Sequence, residues 1–179
     1  MLGGTLPLGA PVELYRQAIE QARARGIPVI FDSSGAALKA GIEARPSIIK
    51  PNQEELGELL GSLPTSLTEI GHAAWELQKM YETGVIVTLG SKGALAVLGE
   101  NSYQIPPLSL PVASSAGAGD GVLAGMALAL SRGEPPENGL RYGFALAAAV
   151  VQTLATADFR IEDYKALLPQ IELIPLPPW

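Results

Sequence analysis

Short apolar runs alternate with stretches of helical spacing along most of the chain. Leu14, Ala18, Ile19 and Ala22 recur at intervals of three and four behind Pro11, which predicts a surface helix opening on Pro11 and closing at Gly26. The run Pro28-Val29-Ile30-Phe31 reads as a buried strand whose end carries Asp32-Ser33-Ser34-Gly35. The pattern then repeats. A short helix over 36–42 precedes a second buried strand, Ser47-Ile48-Ile49, with the polar end Lys50-Pro51-Asn52, and Asn52 is placed to cap a helix over 53–60. A longer helix over 66–81 leads into Val85-Ile86-Val87-Thr88-Leu89, the strongest strand signal in the chain. Strands alternating with helices make βαβ units and a mostly parallel sheet covered on both faces, which binds ligands at the carboxyl ends of its strands.

The pattern changes after Gly90-Ser91-Lys92-Gly93. Two apolar segments, 94–98 and 102–105, are joined only by Gly99-Glu100-Asn101, and this predicts an antiparallel hairpin at one sheet edge. A proline-rich link from Pro106 to Pro111 leads to helices over 117–131 and 136–154, both apolar nearly all round and so expected to pack deeply. The tail Ile174-Pro175-Leu176-Pro177-Pro178-Trp179 is too rich in proline for a helix and reads as an extended surface strap. No internal repeat breaks this α/β order.

Composition narrows the chemistry. With 179 residues, 47% hydrophobic and 17% charged, the chain is expected to fold as one domain with a full core. A net charge of −6 without a lysine and arginine cluster argues against nucleic acid as a partner. Cysteine is absent and histidine occurs once, at His72, so thiolate metal sites, a cysteine nucleophile and multi-histidine metal centres are excluded. His72 itself reads as a helix-face residue, and Trp75 and Trp179 as packing residues. The N-terminus shows no signal-peptide pattern, and the apolar runs at 122–130 and 144–151 are too short to span a bilayer. The expectation is a cytoplasmic protein without a membrane partner.

The sharpest local signal is Ser114-Ser115-Ala116-Gly117-Ala118-Gly119-Asp120-Gly121, a small-residue loop running into a helix. Consecutive backbone N–H groups at a helix start form a nest for an anion, and the helix dipole adds to it. An acidic residue in a phosphate nest needs its own task. Beside a substrate hydroxyl, Asp120 could take the proton as the hydroxyl attacks a γ-phosphoryl group. The alternative is that the glycines only allow close helix packing and Asp120 caps the helix. Asn52 and Glu55, three apart on a first helical turn, are open in the same way between a ligand-facing pair and a capping box. Thr88-Leu89-Gly90-Ser91-Lys92-Gly93 is a glycine-bearing turn after a strand, a weak pattern taken alone.

Together these segments resemble the PfkB, or ribokinase-like, carbohydrate kinases. Ser114 to Asp120, followed by Ala124-Gly125, is similar to the C-terminal signature of that family, although Gly121 stands where a serine is common. The resemblance implies Asp120 as catalytic base, with Gly117, Ala118 and Gly119 as the anion hole. Lys50-Pro51-Asn52-Gln53-Glu54-Glu55 is similar to the family's Asn-x-x-Glu motif, which implies that Asn52 and Glu55 organise Mg2+ and its waters near ATP. The 88–93 segment is similar to its nucleotide loop, which implies Thr88, Gly90, Ser91, Lys92 and Gly93 as ATP-binding residues, and Phe144, Ala147 and Ala148 fall where the adenine side is lined.

Gly4-Thr5-Leu6-Pro7-Leu8-Gly9, Asp32-Ser33-Ser34-Gly35 and Ile49-Lys50-Pro51-Asn52 resemble 1-phosphofructokinases and tagatose-6-phosphate kinases, with Thr5 and Leu8 departing from the more usual Ser and Pro. The resemblance implies a three-layer α/β/α fold and ATP-dependent phosphorylation of a sugar phosphate. Family members carry a substantial N-terminal segment before the stretch at 4–9. Residues 1–179 are therefore expected to form the C-terminal part of the kinase domain, without the N-terminal strands and lid, and to self-associate or pair with a companion N-terminal polypeptide. Two other readings remain: a catalytically incomplete nucleotide-binding module, and a flavodoxin-like or Rossmann-like binding domain, for which no Gly-x-Gly-x-x-Gly follows the first predicted strand.

Overall fold

The computed structural model describes residues 1–177. Two compact units emerge, one from residues 1–104 with the tail from Pro175, the other over Ile105–Ile174.

The first unit is built by alternation. Strand β1 (Leu2–Gly3) is followed by α1 (Leu14–Arg23), β2 (Ile30–Asp32), α2 (Gly35–Ile42), β3 (Ile48–Ile49), α3 (Gln53–Leu60), α4 (Leu67–Tyr81), β4 (Gly84–Thr88), β5 (Ala94–Leu98) and β6 (Asn101–Ile105). With β7 (Ile174–Pro175) these make a seven-stranded sheet in the order β1 to β7. The first four strands run parallel, with Leu2 opposite Phe31, Ile30 opposite Ile48 and Ile49 opposite Val85. β5 turns back antiparallel on β4, pairing Val85 with Val97 and Thr88 with Ala94.

Strand alternation explains the burial. Phe31, Ile49, Val85, Val87, Leu95 and Val97 face one way and join Ile19, Leu38, Leu56, Ile70 and Leu77 from α1 to α4 in a single core. Their neighbours Ile30, Ile48, Ile86 and Ala96 are buried on the opposite face, as a doubly covered parallel sheet requires. The consequence for function is positional: the carboxyl ends of β1 to β4 carry polar residues at one rim.

Three elements were not foreseen. β1 is only two residues long and exists through its pairing with β2. The tail is a strand and not merely a strap: the Leu176 backbone N–H donates to the Ser102 carbonyl at 2.8 Å, so β7 flanks the predicted hairpin at the sheet edge. Proline is tolerated in such an edge strand. Trp75 is half-buried against the core with the Lys79 ammonium over its ring, His72 is exposed on α4, and Trp179 lies outside the described residues.

The second unit holds α5 (Ala118–Arg132), α6 (Pro136–Val150) and α7 (Ile161–Leu167), the last also unforeseen. α5 and α6 approach so closely that a Cβ on Gly121 would stand 2.9 Å from the Ala147 nitrogen, and one on Gly125 would collide with the Gly143 backbone. α6 ends at Val150, short of the predicted 154, and Thr153 Oγ1 lies 3.1 Å from the Val150 carbonyl, a local bond that competes with continuing the helix.

Candidate active site

In the first unit, β3 and β4 bring two of the motifs together. The Thr88 N–H donates to the Pro51 carbonyl at 3.0 Å, and Asn52 and Thr88 form an isolated parallel bridge beyond the end of the ladder. Asn52 then starts α3 with a complete capping box: its Oδ1 accepts from the Glu55 N–H at 2.9 Å, and its own N–H donates to Glu55 Oε2 at 2.8 Å. The capping reading is therefore correct as local structure.

It does not exhaust the pair. Asn52 Nδ2 and Glu55 Oε1 remain outside the box, both residues are only partly buried, and Glu55 offers a hard carboxylate oxygen. Among the described residues no group of three or more His, Asp or Glu is placed to hold a metal. Mg2+ fits such a sparse donor set, because it keeps several waters and is held by one or two carboxylates together with substrate phosphates.

Beyond Thr88 the loop closes on itself. The Leu89 N–H donates to the Gly93 carbonyl at 2.9 Å around a 3-10 turn over Gly90–Lys92. Gly90 and Gly93 adopt φ of +59° and +86°, a region that side chains resist, so glycine is required at both ends of this turn. Gly90, Ser91 and Lys92 are exposed, presenting backbone and the Lys92 ammonium at the rim. Lys92 and Leu89 also line an open cleft of about 180 Å³ with Gln53, Thr65, Leu67, Ile70 and Gln104.

In the second unit, α5 begins at Ala118 with Gly117 as its cap residue at φ +85°, and no side chain caps it. Asp120 is the third residue of the helix and is exposed. Glycine, not Asp120, holds the cap position. A Cβ on Gly117 would lie 2.6 Å from the Ala157 nitrogen, so a glycine is needed for space as well as for φ. Helix geometry leaves the N–H groups of Gly119 and Asp120 without a carbonyl one turn back, donors of the kind that an anion accepts from.

Asp120 and Gly117 line a cleft of about 150 Å³ with Gly121, Ala124, Leu146, Val150, Ala157 and Phe159. Sequence spacing missed the last four, because apolar residues 26 to 39 positions downstream carry no mark of a shared wall. Phe144 and Ala148 are half-buried on a different face of α6 from Leu146 and Val150, outside the lining of this cleft.

Residues 1–163 match the family described as pfkB family carbohydrate kinase. The chain belongs to the pfkB family. The 1-phosphofructokinase of Haemophilus influenzae is 33% identical over 172 residues, covering 96% of this chain and 54% of that protein. The crystal structure of phosphofructokinase-2 from Escherichia coli in complex with potassium superposes with a TM-score of 0.88 at 32% identity, over 94% of this chain and 56% of that one. The Arabidopsis thaliana ribokinase complexed with ribose and ATP superposes at 0.75 with 27% identity, over 93% of this chain and 55% of that one. The pfkB chain spans about half the length of the curated relatives it matches. Its fold is the ribokinase-like α/β fold, with a mostly parallel sheet and an antiparallel hairpin.

Proposed function

We propose that this pfkB chain serves ATP-dependent phosphorylation of a sugar phosphate of the fructose-1-phosphate or tagatose-6-phosphate type. The observation that carries this reading is Asp120: an exposed carboxylate in the first turn of α5, in a cleft, with the cap position held by glycine. As the substrate hydroxyl oxygen bonds to the γ-phosphorus, Asp120 accepts its proton, and ADP leaves with the bridging oxygen. The N–H groups at Gly117, Ala118 and Gly119 stabilise the charge that builds on the transferring group. Asn52 and Glu55 hold the magnesium side, and Thr88 and the 90–93 turn hold the nucleotide. Mg2+, when bound, neutralises phosphate charge. Phe144 and Ala148 flank the base, a role their partial burial permits.

The name 1-phosphofructokinase of the sequence relatives supports the sugar-phosphate class, and the ribokinase complex with ATP supports the nucleotide. β1 is the edge strand of the sheet, and Met1 and Leu8 are exposed on either side of it in sequence; these support self-association or pairing with a companion chain. A second reading, a nucleotide-binding module without sugar chemistry, is favoured by the identity of the assembled residues, which are of nucleotide and phosphate type. Calorimetry separates the readings. The kinase reading expects magnesium-dependent binding of ADP and ATP and also binding of a ketohexose phosphate; nucleotide binding alone supports the module, and no binding of either by folded protein overturns both.

A further inference from the structure

Lys50 is the one charged residue in the buried set among the described residues, 7% exposed, and its Nζ stands 3.3 Å from Asp32 Oδ2. Packing does not call for this. By strand alternation Lys50 and Asp32 share the sheet face of the buried Ile30 and Ile48, and an aliphatic side chain would fill the volume of the lysine stem there without desolvating a charge. An ion pair whose lysine is buried without need from packing points to another use.

Its place in the sheet supplies one. Each neighbouring pair of parallel strands is tied once more beyond its ladder, at the rim where ligands bind. β1 and β2 are tied by the Gly4 N–H on the Asp32 carbonyl at 3.0 Å and by Ser33 Oγ on the Gly4 carbonyl at 3.1 Å. β3 and β4 are tied by the Thr88 N–H on the Pro51 carbonyl. Between β2 and β3 the tie is the Lys50 N–H on the Phe31 carbonyl at 3.3 Å, reinforced by the Lys50–Asp32 pair. From Lys50 the chain passes through Pro51, whose ring fixes φ, directly to Asn52. A displacement of Lys50 is therefore transmitted rather than absorbed. It moves the Pro51 carbonyl that holds Thr88, and it moves Asn52, to which Glu55 is locked by the reciprocal bonds of the capping box.

We propose that Lys50 and Asp32 are a positioning pair: their contact across β2 and β3 holds Asn52, Glu55 and Thr88 in the geometry that takes a magnesium-bound nucleotide. The inference rests on the nucleotide reading above and deepens it. Neither residue need touch the nucleotide.

The test is calorimetry of ADP with and without Mg2+ on the 179-residue chain, read beside thermal unfolding. Lys50→Met takes the ammonium away from the Asp32 carboxylate and lowers Tm. The double variant Lys50→Met with Asp32→Asn removes both charges and restores Tm, yet its magnesium-dependent ADP affinity stays reduced about tenfold or more, as for displaced outer-shell partners of a metal site. A double variant with restored Tm and parental affinity overturns the positioning role and leaves the nucleotide reading intact. A folded parent that binds no ADP overturns both. If the double variant fails to fold, Asp32→Asn alone decides: it keeps an acceptor for the ammonium, and a loss of magnesium-dependent affinity at unchanged Tm supports the pair, whereas unchanged affinity overturns it.

Discussion

Gly117 and Gly125 stand eight positions apart around one helix start, and the glycines serve different ends. Gly125 exists for packing: alanine there drives a methyl into the Gly143 backbone, so Gly125→Ala is expected to lower stability by about 1–3 kcal/mol through overpacking, read as a fall in the urea midpoint. An unchanged midpoint would mean that α5 and α6 part at little cost. Gly117 is required by φ and by space together, and the proposed anion hole would need its bare backbone as well. Spacing alone could not divide these roles, which is why the close-packing and anion-hole readings of the glycine-rich loop stood level in the sequence. Asp120 stood out in the sequence as an acid in a small-residue loop, and the structure places it at the third helical position with glycine at the cap. Asn52 and Glu55 show the reverse case: the spacing that suggests a ligand pair also makes a capping box, and the structure contains the box with Nδ2 and Oε1 to spare. Leu146, Val150, Ala157 and Phe159 were illegible, because the wall they share with Asp120 arises from tertiary packing of ordinary apolar residues.

Helix α4 carries a second capping box, and its chemistry fixes a pH dependence. Glu69 Oε2 accepts from the Thr65 N–H at 2.7 Å, the Ser66 N–H at 3.1 Å and Thr65 Oγ1 at 3.0 Å, and these bonds hold its carboxyl down to about 2. A lowered carboxylate pKa stabilises the fold above the unfolded value of 4.5 and loses that contribution as pH falls from 4.5 toward 2. Glu69→Gln should flatten the acid limb of a Tm-against-pH curve in that window; an identical limb would contradict the assignment. At this scale the long periodic elements were legible, including the Asn52 and Ser66 starts. β1, α7 and β7 were not, since each is short and is stabilised by a neighbour: β1 by β2, β7 by the Ser102 carbonyl, α7 by burying Leu167.

For the whole molecule, the alternation of apolar runs with helical periodicity determined a parallel sheet, and it is present. The division into two units had no counterpart in composition, because the proline-rich link at 106–111 is the only sequence mark near the boundary at Ile105. One unit carries Asn52, Glu55 and the turn at 90–93, and the other carries Asp120. The chemistry proposed for the whole depends most on that aspartate. Its test is the rate of ADP release from Mg-ATP in the presence of a ketohexose phosphate, measured with the companion N-terminal polypeptide reconstituted, for the parent and for Asp120→Asn. Asparagine keeps the size and cannot take the proton, so the rate should fall about 10²–10⁴-fold while the Tm and the ADP affinity are unchanged. An Asn variant turning over at the parental rate, or a parent that releases no ADP, would contradict the account.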